Sequence, residues 1–280
     1  MGSVFGNPSV MLWAASACIA FLGARTFVEY LRRLHHDGPV RLWRELLLGA
    51  AALTAGLWAS LVVDISAQGL AFDVGYQPLK IFGSLLAVYA IVVMVLAWVT
   101  FRPAWPSQLV AVGLASLLVA LLQMSVIWSI GAEPGLYWRT EPLVFALMLL
   151  FIGIGVGSRM VVGQKRGSKG DRGTRRLMAS LVLGACLVAA QELVLAASGL
   201  DRQVVSAHAR FLPEMAITLV AGAVIPIALV LMLVDQLSQQ RARAADRVRR
   251  RRRNAEPGNE SMFAESALAS MVDPRNPPAR

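Results

Sequence analysis

The chain has 280 residues, of which 56% are hydrophobic, with a mean hydropathy of +0.59 and a formal net charge of +10. Runs of about 20 apolar residues recur, each long enough to cross a ~30 Å hydrocarbon core at ~1.5 Å per residue, so the composition excludes a soluble domain and implies a polytopic membrane protein. The two cysteines, Cys18 and Cys186, fall inside apolar runs and read as buried thiols, with no disulfide framework implied.

The first expected span covers 10–33. The preceding "MGSVFGNPSV" has no positive charge and the apolar stretch after it is too long for a secretory signal, so this segment is expected to remain as a helix. Within it Arg25 and Glu29 are four residues apart and share one helical face. An intrahelical ion pair that lowers the cost of burying both charges is one reading; a proton or anion path is the other. The connection "LRRLHHDGPVR" carries His35 and His36, read as solvated loop residues because a metal site needs several convergent ligands. His208, in the later connection "DRQVVSAHARF", is read in the same way.

The second span, 43–65, holds Asp64 near its far end, and the third covers 79–101. The fourth, 107–131, contains Gln123 and Met124. The fifth, 142–163, ends in "FIGIGVGSR", whose Gly153, Gly155 and Gly157 permit close helix approach; no strand flanks them to make a phosphate-binding loop. The sixth, 177–199, contains "VAAQELVLAAS", in which Gln191 and Glu192 interrupt an apolar run. The seventh, 213–237, opens at Glu214.

Lysine and arginine orient these spans, because positive connections stay in the cytoplasm. The connection after span one has Arg32, Arg33, Arg41 and Arg44, and the one after span five has Arg159, Lys165, Arg166, Lys169, Arg172, Arg175 and Arg176. The alternate connections have only Lys80, Arg139, and Arg202 with Arg210. The N-terminus is therefore expected outside and the C-terminus inside, in a multi-pass protein of the bacterial inner membrane. Beyond the seven-helix domain (1–240) lies a basic segment (241–253) with Arg241, Arg243, Arg247, Arg249, Arg250, Arg251, Arg252 and Arg253. Beside a membrane these arginines meet anionic lipid headgroups, which excludes nucleic acid as their partner.

An amide and carboxylates inside hydrocarbon require partners. Asp64, Gln123, Gln191, Glu192 and Glu214 fall on the outer side of their spans and are expected to form a hydrogen-bonded cluster around Glu192. Such a cluster either joins helices or lines a functional polar cavity.

The chain also repeats. Pro8, Pro78, Pro142 and Pro213 open the four outside-to-inside spans at spacings of 70, 64 and 71 residues. Proline suits a first helical turn, where its missing N–H would be unsatisfied anyway. "GLWASLVVDIS", "LLQMSVIWSIG" and "VAAQELVLAAS" occupy matching depths in the returning spans, so the chain reads as three two-helix units plus a seventh helix.

"WRELLLGAAALTAGLWASLVVDI", with the later "GYQP", and "RRLMASLVLGACLVAAQELVLAA" resemble repeats of the bacterial MHYT integral-membrane sensor domain over about residues 8–237. The resemblance implies a seven-helix sensor whose Met-His pairs hold copper. Here those pairs fall on Ser60 and Leu61, Met124 and Ser125, and Ala190 and Gln191, so no motif histidine remains. Copper prefers soft thioether and imidazole ligands; Met124 alone is expected to pack, and no cofactor is expected, copper being the alternative.

The chain has no His-Glu-x-x-His, Gly-x-Ser-x-Gly, Walker loop or Cys-x-x-Cys, so it is not expected to be an enzyme. The tail, 254–280, mixes polar residues and proline and is expected to be mostly disordered. Phe263, Leu268, Met271 and Val272 can share one face of a short helix that orders only on a partner or a membrane surface. Two functions follow: a non-enzymatic sensor or anchor that holds a cytoplasmic partner, or a transport or channel-like subunit that uses the outer polar cluster. Sealed apolar packing between Glu192 and Arg25 favours the first.

Overall fold

The computed structural model describes residues 9–34, 39–69, 75–101, 105–133, 136–162, 169–200, 205–206 and 212–255. Its helices are α1 (Val10–Leu34), α2 (Pro39–Ala67), α3 (Pro78–Phe101), α4 (Trp105–Trp128), α5 (Thr140–Val162), α6 (Lys169–Ala197), α7 (Glu214–Leu219) and α8 (Ile225–Ala255). Among the described residues, seven segments are long and apolar enough to cross a membrane, the last running from Glu214 to Gln239. This is the architecture of a multi-pass membrane protein.

The helices overrun the apolar spans at the arginine-rich end. α2 begins at Pro39 and α6 at Lys169, several residues earlier than hydropathy alone places them. Arginine and lysine are good helix formers, so backbone hydrogen bonding continues after the apolar pattern stops. At the opposite end, Gly69 and Gly131 have positive φ values of 57° and 64° just past α2 and α4. A residue without a Cβ takes this left-handed conformation without strain, which ends the helix. The fourth helix therefore stops at Trp128, short of the expected residue 131.

Described by itself, the unit Met1–Met232 is built around a ring of six helices. Each of α1 to α6 packs on its sequence neighbour, and α6 closes the ring on α1. α7 and the turn after it pack outside the ring, mainly against α2. The hydroxyls of Ser66 and Thr218 meet there at 2.7 Å. That turn, Val220–Val224, is π-helical and is separated from Pro226 by Ile225 alone. Proline lacks the amide hydrogen that would continue the α-helical ladder, and the wider turn accommodates the lost bond.

Glycines set the closest helix contacts. A Cβ on Gly56 would lie 2.8 Å from the Gly23 Cα, so at this point α1 and α2 touch backbone to backbone. On Gly153 it would lie 2.4 Å from the Cys186 Cβ, bringing α5 equally close to α6, whereas Gly155 faces Val112 at an ordinary 3.6 Å.

The expected all-α class holds, and short strands join it at the end opposite the arginines. Three short antiparallel ladders link the connections there: β1 (Gly75–Tyr76) with β6 (Leu212–Pro213), β2 (Ala132–Glu133) with β5 (Val205–Ser206), and β3 (Leu136–Trp138) with β4 (Ser198–Leu200). All three later strands belong to the single connection between α6 and α7, which pairs in turn with the other two connections. Strands of two or three residues are too short for an alternating pattern to be read from sequence. Opposite Tyr137 in the third ladder is Gly199, where any Cβ would fall 1.9 Å from the tyrosine ring, so the aromatic lies across the glycine.

The second unit, Leu233–Arg280, is helical through Ala255. Inside it the Gln239 Nε2 donates to the Asp235 carboxylate at 2.8 Å, one turn away.

Candidate functional site

Gln191 lies at the centre of a buried polar network in the ladder-side half of the ring. Helix α6 places it opposite Ser16 of α1 and Ser60 and Asp64 of α2, which are four residues apart and therefore on one face. Its Nε2 donates to the Asp64 carboxylate at 2.8 Å and to the Ser16 hydroxyl at 3.3 Å. Its Oε1 accepts from the Ser60 hydroxyl at 3.1 Å, whose hydrogen is shared with the Leu57 carbonyl at 3.0 Å. Ser16 in turn donates to the Ser60 carbonyl at 2.8 Å. All four side chains are at most 2% exposed. The amide thus uses both donors and its acceptor, joining three helices where an unmet polar group would be costly.

The expected cluster is therefore corrected in its centre and its membership. Glu192, one residue on, turns to the edge of the bundle, is half-buried, and accepts from the indole of Trp13. Gln123 is 1% exposed on α4, and both its amide atoms lack hydrogen-bond partners among the described residues, so it stands outside the network. Met124 packs half-buried against the core. Glu214 sits in the first turn of α7, close enough to act electrostatically on Tyr76. Burial, then the Glu214 carboxylate, pushes the Tyr76 phenol well above the usual range for tyrosine.

Ser16, Ser60 and Trp13 were absent from the expected cluster. Serine is common in membrane helices and makes local bonds to its own helix, so only its depth beside Gln191 hinted at a role. Ser60 and Gln191 also lie in corresponding stretches, 56–66 and 188–198, and they meet directly.

A second charged group lies toward the arginine-rich end. Arg25 Nη2 is 3.2 Å from Glu29 Oε1 on the same helix, and Arg176 Nη1 of α6 approaches that oxygen at 3.9 Å. The pair is thus also an interhelical contact, with the Glu29 side chain 2% exposed. Between this group and the Gln191 network lie Gly23 against Gly56 and Gly184 against Phe21, with Ala24 and Leu187 almost fully buried. Apart from Thr54, buried on α2, the residues of this waist are apolar.

The residues near Gln191 do not fit copper. Two hydroxyls, an amide and a carboxylate are hard donors, the amide is already consumed by its neighbours, and the one thioether at an aligned position packs in the core. Among the described residues no three His, Cys, Asp or Glu side chains converge.

Arg241, Arg243, Arg247 and Arg249–Arg253 lie on α8. Phe263, Leu268, Met271 and Val272 fall outside the described residues, as do His35, His36 and His208. No protein-family model, curated protein or solved structure matches the chain.

Proposed function

We propose that the chain is a non-enzymatic membrane sensor or anchor of the bacterial inner membrane, with its N-terminus outside, that engages a cytoplasmic protein partner. One observation carries this reading: the waist at Gly23 and Gly56 leaves no room for a Cβ between α1 and α2, and the side chains of Ala24 and Leu187 beside it are apolar and almost fully buried. Such packing supports an anchoring bundle over a polar through-path. The polar groups around Gln191 and Glu29 instead bond to one another across helices, the expected behaviour of groups that join helices.

Three two-helix repeats account for the pairing of α1 with α2, α3 with α4 and α5 with α6 around the ring. In an MHYT-like ancestry the Ser60–Gln191 contact is what replaced a metal-sensing site. α8 joins the end of the seventh span to the eight arginines between Arg241 and Arg253 without a helix break. Each arginine near an anionic leaflet contributes about 1 kcal/mol, which would hold the partner-binding tail beside the inner membrane surface.

The test combines flux and capture. Proteoliposomes of the full chain should pass protons and small ions no faster than empty vesicles. Native membranes should yield a protein that co-purifies with the full chain and is lost when residues 254–280 are removed or Phe263 and Leu268 become serine. Flux above background would transfer the reading to a transport subunit, and full retention by the shortened chain would move the binding surface to the inner loops. Reporter fusions should read cytoplasmic after Arg172 and Arg253 and external after Arg202.

A further inference from the structure

The arginine-side half of the six-helix ring is not filled by its own side chains. It leaves a partly open cavity of about 360 Å³, within the size range of small-molecule sites, with walls contributed by all six helices. Phe27, Leu53, Val119 and Leu187 are typical of the walls. The polar lining groups, Gln108, Ser158 and Arg159, come from the first turns of α4 and the last turns of α5, both at the arginine-rich end. Arg159 is the one charged residue among those that line it.

Depth identifies what such a shape suits. Along α4 the lining runs from Gln108 to Val119, about 16 Å at ~1.5 Å per residue, or roughly half of a ~30 Å hydrocarbon core. That is the depth of one leaflet, with a guanidinium where headgroups lie and closed apolar packing at the other end. The geometry points to a structural lipid site: the cavity takes one acyl chain of an anionic phospholipid from the arginine-side leaflet, its phosphate held at Arg159. Beyond the lining residues Phe27 and Leu53, α1 and α2 close on one another at Gly23 and Gly56. The apolar walls supply the affinity, since burying a methylene is worth about 0.8 kcal/mol, and the guanidinium selects the headgroup.

The experiment uses the full chain in phosphatidylcholine vesicles doped with phosphatidylglycerol that carries a photoreactive group at the end of one acyl chain. After illumination, labelled residues are located by mass spectrometry. Leu183 and Leu187 are 4% and 1% exposed and out of reach of lipids around the bundle, so their labelling reports the cavity; Leu114 and Leu117, 47% and 46% exposed, report the surrounding bilayer. The wild-type chain should be labelled at both pairs. Ala115→Phe, which fills the cavity from α4, should abolish labelling at Leu183 and Leu187 and leave Leu114 and Leu117 unchanged. Arg159→Gln should lower the buried labelling by phosphatidylglycerol about fivefold, the equivalent of one arginine at an anionic leaflet, and that by a photoreactive phosphatidylcholine, whose choline offsets its phosphate, by less. If Ala115→Phe does not fold, as judged by its thermal unfolding in detergent, Ala111→Leu is read in its place. Labelling confined to the exposed leucines, buried labelling that survives the filling substitution, or displacement of the phosphatidylglycerol by a neutral isoprenoid quinone would overturn the assignment.

Discussion

The two halves of the six-helix ring solve the same packing problem in opposite ways. Toward the ladders, the space between α1, α2 and α6 is occupied by polar side chains whose hydrogen bonds are made to one another across helices. Toward the arginines, it is lined by aliphatic groups that leave about 360 Å³ between them. In hydrocarbon solvent there is little hydrophobic drive to collapse such a space, because lipid tails are as apolar as the walls. Directional bonds fix one half, whereas the other is free to accept a guest. The glycine waist keeps the two apart.

The largest effect should come from breaking the waist. Gly56→Val places branched carbon against the Gly23 backbone, which cannot move as a flexible side chain would, so α1 and α2 must separate. A loss of about 3 kcal/mol is expected in denaturant unfolding from micelles, with water entering between the halves as faster amide exchange around residue 23. Next, Gln191→Leu removes the hub and strands the Asp64 carboxylate. The loss should be about 2 kcal/mol, from three contacts of ~0.6–2 kcal/mol each, and Asp64→Asn should cost less because its amide oxygen still accepts from Gln191. An equal loss from both would place the energy in Asp64 alone.

Tyr76 tests the ladder-side half through pH. Its phenol is fully buried and its hydroxyl has no partner among the described residues, so burial raises its pKa above the ordinary value of 10.0. Above pH 10 the unfolded chain releases this proton while the folded chain holds it, so the stabilisation is complete below that pH and declines as pH rises. Wild-type stability should fall relative to Tyr76→Phe by about 1 kcal/mol between pH 10 and 11, whereas near pH 7 the difference between the two should not vary with pH. Parallel decline would mean that water reaches the hydroxyl. The smallest effect belongs to the other half: Ala111→Val adds carbon to the cavity wall and should change stability by about 0.5 kcal/mol or less. A cost above that would show the cavity to be narrower than its lining indicates.

The spans were legible in the sequence because hydrocarbon imposes a length and a composition that twenty-residue runs display directly. Their ends were less so, since α2 and α6 continue in water on the propensity of residues that hydropathy counts as polar. The need of Gln191 for a partner was also readable. Its partners were not, because the hydroxyls of Ser16 and Ser60 are as easily satisfied by a carbonyl on the same helix, and only the approach of three helices decides otherwise. Gln123, identical in type and comparable in depth, received none of these contacts. Packing distinguished two glutamines that sequence could not. The ladders and the cavity are long-range products of the ring and had no local signal at all.

The connection from Ser198 to Pro213 pairs with strands that precede it by as many as 138 residues, from Gly75 to Pro213. During synthesis, strands β1, β2 and β3 emerge while their partners are still unmade, so the first five helices must sit in the bilayer with these edges open. Only after α6 has crossed can the connection fasten all three in succession, beginning with β4 against β3 and ending with β6 against β1, where the seventh span starts. The seventh helix is thereby delivered to the outside of a ring already closed. Assembly thus has a last step with a fixed address, and a chain interrupted before residue 198 would hold its helices without the fastening that sets their order.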